Sequence, residues 1–156
     1  MIKIVRAEEK HIHDIGKLWW EFMFFHQDID PWFTPRENSI PGFEENQVRR
    51  FMNSDKGQVL VALDGEKVVG FSLSEIQGPS APMKREKWGY IDTVAVTAYY
   101  RRKGMGQRML VEILAWFRSK GVERVELQTT AQNAVANSFW QKHGFKIYMH
   151  RLYRDI

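Results

Sequence analysis

The feature that most constrains the fold of this chain is a glycine-containing turn between two apolar segments of different periodicity. Residues 88–97 are a β-rich run of the kind that forms a strand buried on both faces of a sheet. From Gly104 onward, apolar residues recur at spacings of three and four, which predicts an amphipathic helix. A buried strand that continues through a turn into a helix favours a sheet covered by helices.

The other periodicities extend this pattern over the whole chain. Asp64-Gly65-Glu66 favours a tight hairpin between two β-rich runs, whereas the later runs are joined through helices. We therefore predict an α/β fold with a mixed central sheet of six to seven strands, flanked by helices on both faces. Ligands of such sheets bind at the carboxyl ends of strands, and the turn after Val96 lies at such an end. The predicted strands are 2–5, 58–63, 67–76, 88–97, 124–128 and 146–154, and the predicted helices are 8–25, 44–52, 104–120 and 133–143.

Length and composition indicate the class of protein. The chain has 156 residues, of which 44% are hydrophobic and 27% are charged, so we expect one domain, 1–156, with its own core. The sequence has no apolar run of about 18 residues and no recognisable targeting segment, which favours a cytoplasmic protein without a membrane partner. The absence of cysteine excludes disulfides and a thiol nucleophile. The histidines show no metal-ligand spacing, so no metal is expected.

The net charge of +4 and the pI near 9.4 indicate an anionic partner, either nucleic acid, a phosphate-containing cofactor or a membrane surface. Positive charge is concentrated in Arg101, Arg102 and Lys103, directly before Gly104. Glycine lets backbone amides approach phosphate oxygens, and a helix N-terminus offers unpaired N–H groups with a partial positive charge. The turn therefore favours a diphosphate, but a helix start with solvated basic side chains explains the same residues. Its spacing fits neither the dinucleotide fingerprint nor the Walker motif.

Two motifs of the chain resemble those of a known family. Arg101-x-x-Gly104-x-Gly106 resembles the pyrophosphate motif of the GNAT superfamily of N-acetyltransferases, [Gln or Arg]-x-x-Gly-x-[Gly or Ala], in its usual position after a strand. The family's later helix motif, Asn-x-x-Ala-x-x-Phe-Tyr-x-Lys-x-Gly-Phe, is similar to Asn133-x-x-Ala136-x-x-Phe139-Trp140-x-Lys142-x-Gly144-Phe145. The predicted order of elements also matches that family over nearly the whole chain. The resemblance implies the GNAT fold, acetyl-coenzyme A as co-substrate and N-acetyltransferase activity.

The resemblance also implies which residues contact acetyl-coenzyme A. The backbone of Val94, Ala95 and Val96 is expected to hydrogen-bond the acetyl carbonyl and pantetheine, where a splay between strands admits the cofactor. From the residues alone, these side chains also fit a plain core, and Asn133 also fits a helix N-cap. The family's later helix is expected to place Asn133 at the pantetheine arm, with Asn137, Phe139 and Trp140 near the thioester. The pyrophosphate is expected on the amides of 102–107, within the set Arg101, Arg102, Lys103, Gly104, Met105, Gly106 and Gln107.

The candidate catalytic groups are carboxylates. Trp140 stands where the family often has a tyrosine that protonates the leaving thiolate, and its indole N–H is no acid near neutral pH, so no general acid is assigned. A primary amine with a pKa of about 10.4 must lose a proton before attack, and a carboxylate can accept it. Asp92 is the first candidate, because strand alternation predicts that it shares a face with Val94 and Val96. Glu75 is the second candidate, and both carboxylates also fit solvated or arginine-paired charges.

Three functions are compatible with the sequence. The first is an N-acetyltransferase that moves acetyl from acetyl-coenzyme A to a primary amine by direct attack in a ternary complex, with a small amine, an amino acid or a protein or peptide amine as acceptor. The second, which Trp140 suggests, is a non-catalytic acyl-coenzyme A binding or sensor domain. The third is a nucleic-acid module built on Arg49, Arg50 and the basic turn; it is the least favoured, so no nucleic-acid partner is expected. The aromatic residues Trp32 and Phe33 fit either a cationic acceptor or a homodimer contact.

Overall fold

The computed structural model describes residues 1–156 and contains five β-strands and five α-helical segments. The strands are β1 (Ile2–Arg6), β2 (Gly57–Asp64), β3 (Lys67–Gln77), β4 (Trp88–Val96) and β5 (Val125–Leu127). The helices are α1 (Ile12–Ile29), α2 (Ile40–Phe43), α3 (Arg50–Met52), α4 (Met105–Ser119) and α5 (Ala134–Lys142). A π-helical segment, Glu44–Arg49, joins α2 to α3. None of the helices combines the length and the apolarity needed to cross a bilayer.

The strands form one mixed sheet in the order β1-β2-β3-β4-β5. The pairs β1–β2, β2–β3 and β3–β4 are antiparallel, and the pair β4–β5 is parallel. The β2–β3 hairpin forms at the predicted turn, where Gly65 has a left-handed φ of +63°. A parallel pair needs a crossover connection, and α4 provides it between β4 and β5. The mixed sheet expected from the sequence is confirmed.

Helices cover both faces of the sheet, as predicted. On the first face, here called the α1 face, α1 and the segment from α2 to α3 pack around Phe71 and Leu73 of β3, which are fully buried. On the second face, the α4 face, Ile113 and Phe117 of α4 pack against the sheet, and Phe139 of α5 contacts the same cluster. The apolar stripes of α1 and α4 therefore position the two helices on opposite sides of β3 and β4.

Helix α1 extends four residues beyond the predicted end at Phe25 and stops at Ile29. The next residue, Asp30, precedes a proline, which disfavours helical backbone, and it has φ −150°. The Asp30 carboxylate accepts a hydrogen bond from the Trp32 amide at 3.0 Å and so stabilises the turn that follows. The Trp32 side chain, which the sequence offered as an acceptor or dimer contact, is 85% exposed.

The predicted strand at 146–154 is absent, so the sheet has five strands rather than six to seven. Residues 146–156 have no regular secondary structure, and Ile147 and Met149 are exposed. A β-prone sequence forms a strand only where a neighbour supplies backbone partners and a surface to pack on. Strand β5 pairs over three residues only, and the tail meets it through Tyr148, whose hydroxyl donates to Glu126 Oε2 at 2.9 Å.

Candidate active site

Strands β4 and β5 separate partway along β4. They pair only where Gly89 to Ile91 lie opposite Val125 to Leu127. The last residues of β4, including Val94, Ala95 and Val96, are paired with β3 alone. Unpaired backbone groups on a strand edge are a template for an extended ligand. This separation is the splay that the resemblance implied, and it leaves the edge of β4 beside Val94 to Val96 without a partner strand, although the Val96 carbonyl accepts from Arg101.

Two asparagines shape the chain beyond β5. Asn137 Nδ2 donates to the carbonyl oxygens of Thr130 and Ala131, both at 3.1 Å, and its Oδ1 accepts from the Thr129 hydroxyl. The Asn137 amide is therefore engaged within the loop 129–131, which it joins to α5. Asn133 caps α5, because its Oδ1 accepts from the Ala136 amide at 3.1 Å, so the cap expected from the sequence is confirmed.

The glycine turn presents unpaired amides at the start of α4. Gly104 has a left-handed φ of +76°, and no atom lies within 4 Å of the position that a Cβ would take. The first amide to donate within this helix is that of Arg108, which bonds the Gly104 carbonyl at 3.1 Å. The amides of Met105, Gly106 and Gln107 precede it and have no backbone partner. The arrangement is that of an anion site on a 15-residue helix.

The two sequence motifs meet in space at Gly106. A Cβ at this position would lie 3.3 Å from the ring of Phe139, so glycine allows α4 and α5 to approach closely. The Phe139 ring packs edge-on against Trp140 at 4.9 Å, and Trp140 packs against Phe145 at 5.2 Å. Met105 is buried in the core, so only its backbone faces the turn. Phe139 and Trp140 therefore support α4 through packing.

The three basic side chains of the turn have different surroundings. Arg101 Nε donates to the Val96 carbonyl at 2.8 Å, so this guanidinium is used within the protein. Lys103 Nζ lies 3.9 Å from the centre of the Tyr99 ring. Arg102 is exposed and has no side-chain partner in the chain. Arg102 and Lys103 therefore make no side-chain hydrogen bond within the protein, and their charges are available to a ligand.

The left-handed backbone of Arg102 gives a test of this turn. Its φ is +61°, which costs a residue with a Cβ about 1 kcal/mol relative to glycine. We expect Arg102→Gly to raise the free energy of unfolding by up to about 1 kcal/mol in urea denaturation, while acetyl-coenzyme A affinity falls because a positive charge is lost. Arg102→Ala removes the same charge and keeps the strain, so it should lose affinity without gaining stability. A glycine variant less stable than the alanine variant would contradict the strain argument.

The second candidate base, Glu75, is held by partners on both oxygens. Arg50 Nη1 lies 3.4 Å from Oε2, and Gln77 Nε2 donates to Oε1 at 3.0 Å. Gln77 in turn accepts from the indole nitrogen of Trp88 at 3.0 Å. Both oxygens of Glu75 are thus engaged with side chains of the protein. Glu75 therefore fits an electrostatic role better than that of a base.

A β-bulge displaces the first candidate, Asp92. Leu73 pairs with Thr93 and Ser74 with Ile91, so Asp92 is an extra residue of β4. The Thr93 hydroxyl donates to Asp92 Oδ2 at 2.9 Å, on the α1 face where Leu73 packs. The expectation that Asp92 shares a face with Val94 and Val96 is wrong, because those valines pack on the α4 face and the extra residue breaks the alternation.

Of the three neighbouring strand carboxylates Glu75, Asp92 and Glu126, only Asp92 has no ion pair with an arginine. Glu75 pairs with Arg50, and Glu126 on β5 pairs with Arg85 and Arg124. Loss of hydration raises the pKa of the Asp92 carboxyl, and the charge of Glu75 adds to the increase. The hydrogen bond from Thr93 and the charge of Arg50 act in the opposite direction but do not cancel it. A carboxylate with a raised pKa is a better general base near neutral pH.

Tyr90 was not singled out for this site from the sequence, yet it lies between the acidic groups. It pairs with Glu75 of β3 and Glu126 of β5, and it is partly buried. Burial raises the pKa of the Tyr90 hydroxyl, and the charges of Asp92 and Glu75 raise it further. The hydroxyl is therefore neutral at physiological pH. Strand pairing places Tyr90 here, and pairing partners are not readable from one sequence.

The arginines offered for nucleic-acid binding are occupied within the protein. Arg49 contacts the carboxylates of Glu9 and Glu45, and Arg50 contacts Glu75. Paired guanidinium groups contribute less to a phosphate-binding surface than free ones. The contacts of these residues therefore stabilise the helical segment on the α1 face.

Fold and site together define an α/β protein in which a splayed strand edge lies before a helix with unpaired N-terminal amides. Residues 12–145 match the acetyltransferase (GNAT) family, and the chain belongs to that family. It is 30% identical over 94 residues to N-alpha-acetyltransferase 30 of Schizosaccharomyces pombe, a match that covers 60% of each chain. Its fold is similar to that of a putative acetyl transferase from Pyrococcus furiosus, with a TM-score of 0.79, 20% identity and complete coverage of both chains. Aminoglycoside N-acetyltransferase AAC(6')-Iy in complex with CoA has a TM-score of 0.75 at 13% identity, covering 100% of this chain and 95% of that one.

Proposed function

We propose that residues 1–156 act as one domain that transfers acetyl from acetyl-coenzyme A to a primary amine by direct attack in a ternary complex. The observation that carries the proposal is the splay of β4 from β5 beside the unpaired amides of α4. The splay offers backbone partners to an extended arm, and the amides offer donors to a diphosphate. Acetyl-coenzyme A has both parts, and the chain belongs to an acetyltransferase family.

The cofactor is held mainly by backbone in this proposal. The backbone of Val94, Ala95 and Val96 binds the acetyl carbonyl and pantetheine where β4 has no partner strand, with the Val96 carbonyl left to Arg101, and Asn133 lies at the arm. The amides at the start of α4 receive the pyrophosphate. Arg102 and Lys103 add charge to this site, whereas Arg101 supports it from within through its bond to the Val96 carbonyl. Such backbone donors need no reorganisation when the ligand binds.

Asp92 is the proposed general base. Its carboxylate lies beside the splay and has a raised pKa without an arginine partner. The amine forms a bond to the acetyl carbon and gives its proton to Asp92, directly or through water. The C–S bond then breaks, and coenzyme A leaves as a thiolate, which a thiol pKa of about 8.5 makes tolerable. No side chain is assigned as acid to the sulfur, since Trp140 has no acidic proton.

The proposal specifies a primary amine as the acceptor and leaves the choice of amine to experiment. The chain spans 60% of the length of the Schizosaccharomyces relative, whose name specifies an N-alpha acceptor. The structural neighbour with CoA is named as an aminoglycoside acetyltransferase. A useful acceptor panel therefore contains peptides with a free α-amine, the same peptides with a blocked α-amine, amino acids, polyamines and aminoglycosides.

The test is acetyl-coenzyme A affinity by calorimetry, followed by thiol release with each acceptor. We expect micromolar or tighter binding, on the order of −8 kcal/mol, and turnover with at least one amine class. Binding without turnover across the panel would overturn the enzymatic proposal and support the acyl-coenzyme A sensor alternative. Absence of binding, with the fold confirmed by circular dichroism, would overturn both.

A further inference from the structure

We infer that Glu21 of α1 is a positioning residue for the cofactor turn, so that acetyl-coenzyme A affinity depends on a helix outside both cofactor motifs. The inference rests on the proposed function, because it concerns the same binding site. Glu21 lies 77 positions before Ala98, its backbone contact in the turn region. Glu21 lies outside both sequence motifs.

The Glu21 carboxylate uses both oxygens on the segment that follows β4. Oε1 accepts from the Ala98 amide at 3.0 Å, and Oε2 accepts from the Thr97 hydroxyl at 3.0 Å. Arg101 Nη2 lies 3.5 Å from Oε1. Three groups within five residues therefore converge on one carboxylate. The segment is fixed where β4 ends at Val96 and before the glycine turn begins.

Arg101 carries this contact to the splay itself. Its Nη2 faces Glu21, while its Nε donates to the Val96 carbonyl at 2.8 Å. The guanidinium also lies 5.7 Å from the ring of Phe25, one turn further along α1. A planar guanidinium held at two points fixes the direction of both partners. Glu21 and Arg101 together therefore fix the end of β4 relative to α1.

A second tether acts from the other side of the turn. The Tyr100 hydroxyl donates to Asp64 Oδ2 at 2.6 Å, which joins the segment to the β2–β3 hairpin. Without Glu21, Tyr100 would be the main side-chain anchor of residues 97–100. Cofactor binding would then have to order the segment, and that entropy would be subtracted from the binding free energy. The expected loss is in affinity, not in the chemical step.

Electrostatics alone predicts that a variant without the Glu21 charge binds acetyl-coenzyme A more tightly, not more weakly. Removing the negative charge of Glu21 raises the positive potential near the turn, which favours an anionic cofactor. Both Glu21 and Arg101 are partly exposed, with side chains 39% and 43% exposed, so this attraction is screened by solvent and salt. Replacing Glu21 by leucine removes both hydrogen bonds at any ionic strength, whereas glutamine would keep an oxygen that accepts from the Ala98 amide and a nitrogen that can donate to the Thr97 hydroxyl. We expect the loss of order to dominate at physiological salt.

The test compares Glu21→Leu with two other variants by calorimetry and steady-state kinetics at 0.15 M salt. Glu21→Leu removes both acceptor oxygens, so it should weaken acetyl-coenzyme A binding by about five- to tenfold and raise its KM equally, with kcat at saturation within about twofold of wild type. Thr97→Val removes one of the same hydrogen bonds without changing charge and should weaken binding in the same direction. Asp14→Asn makes the same charge change two turns earlier on α1, where Asp14 contacts Lys17, and should leave affinity unchanged.

The outcomes separate this inference from the proposed function. If wild type fails to bind acetyl-coenzyme A, the proposed function itself is wrong. If wild type binds and both Glu21→Leu and Thr97→Val bind as tightly as wild type, the positioning role is overturned and the proposed function stands. A fall in kcat at unchanged affinity in Glu21→Leu would also overturn it, because Glu21 would then act on the acceptor or the reaction. Fully additive losses of affinity in the double variant Glu21→Leu/Thr97→Val would overturn it as well, because the two residues share one hydrogen bond.

Discussion

Gly104→Glu is expected to abolish acetyl-coenzyme A binding while the chain still folds. Gly104 has φ +76° and precedes the unpaired amides of Met105 and Gly106. The space around its missing Cβ is open, so the new side chain enters the site proposed for the pyrophosphate. Juxtaposed like charges cost several kcal/mol, so the affinity should fall by more than about 100-fold. Calorimetry with acetyl-coenzyme A measures the loss.

Gly121→Glu is the matched control for this variant. Gly121 follows the other end of α4 and has a similar φ of +70°. Its Cβ would approach only the flexible Nζ of Lys87, at 3.2 Å, which can move aside. Both variants should lose comparable stability in urea, because both place a Cβ in the left-handed region. Gly104→Glu binding within tenfold of wild type would remove the glycine turn from the proposed cofactor site.

Local signals in the sequence were sufficient for most of the fold. The 3.6-residue stripes of α1 and α4 and the turn at Gly65 depend on neighbours in sequence, and the structure contains each of them. The segment 146–154 depends on a partner strand, and β5 is too short to provide one. Its β propensity was therefore misleading. Propensity describes what a segment can do on a suitable surface, not whether that surface exists.

The candidate site divides in the same way. The motif positions Gly104 and Asn133 take their backbone roles from residues within four positions, and the structure places both as a turn and a cap. The position of Asp92 depends on a bulge opposite Leu73 and Ser74, which strand alternation cannot reveal. Glu21 contributes through partners more than 70 positions away. Contacts of this kind depend on the assembled fold and leave no periodic trace in one sequence.

Asp92→Asn is expected to lower kcat by about 100-fold or more while acetyl-coenzyme A affinity stays nearly unchanged. Asparagine keeps the shape and can still accept from the Thr93 hydroxyl, but it cannot take a proton from the amine. The cofactor contacts proposed here are made by backbone on the free edge of β4, which the substitution leaves in place. Thiol release at saturating amine, together with calorimetry, separates the two effects. A normal turnover rate in this variant would move the base elsewhere.

The pH profile distinguishes Asp92 from Glu75. A base must be deprotonated, so wild-type kcat should fall on the acid side at a pH above the ordinary aspartate range, because the pKa of Asp92 is raised. Asp92→Asn should lose this limb. Glu75→Gln should keep most of the activity and move the limb to lower pH, since the Glu75 charge is one cause of the raised pKa. If kcat lost its acid-side fall in Glu75→Gln and kept it in Asp92→Asn, Glu75 would be the general base instead of Asp92.

The same raised pKa predicts that Asp92→Asn stabilises the fold near neutral pH. Ionised Asp92 is less favourable in the folded chain than in the unfolded one, because neighbouring atoms remove part of its hydration and Glu75 repels it. Asp92 is exposed at the residue level, so solvent screens this effect and the expected gain is small. Wild type should therefore gain stability as pH falls through the folded pKa towards the unfolded value, whereas the asparagine variant has no such proton to bind. The difference in Tm should favour the variant at pH 7 and vanish in acid, where both forms are neutral. A base held at the expense of stability is typical of a functional position, and a variant less stable than wild type at pH 7 would argue that Asp92 is a structural acceptor for Thr93 instead.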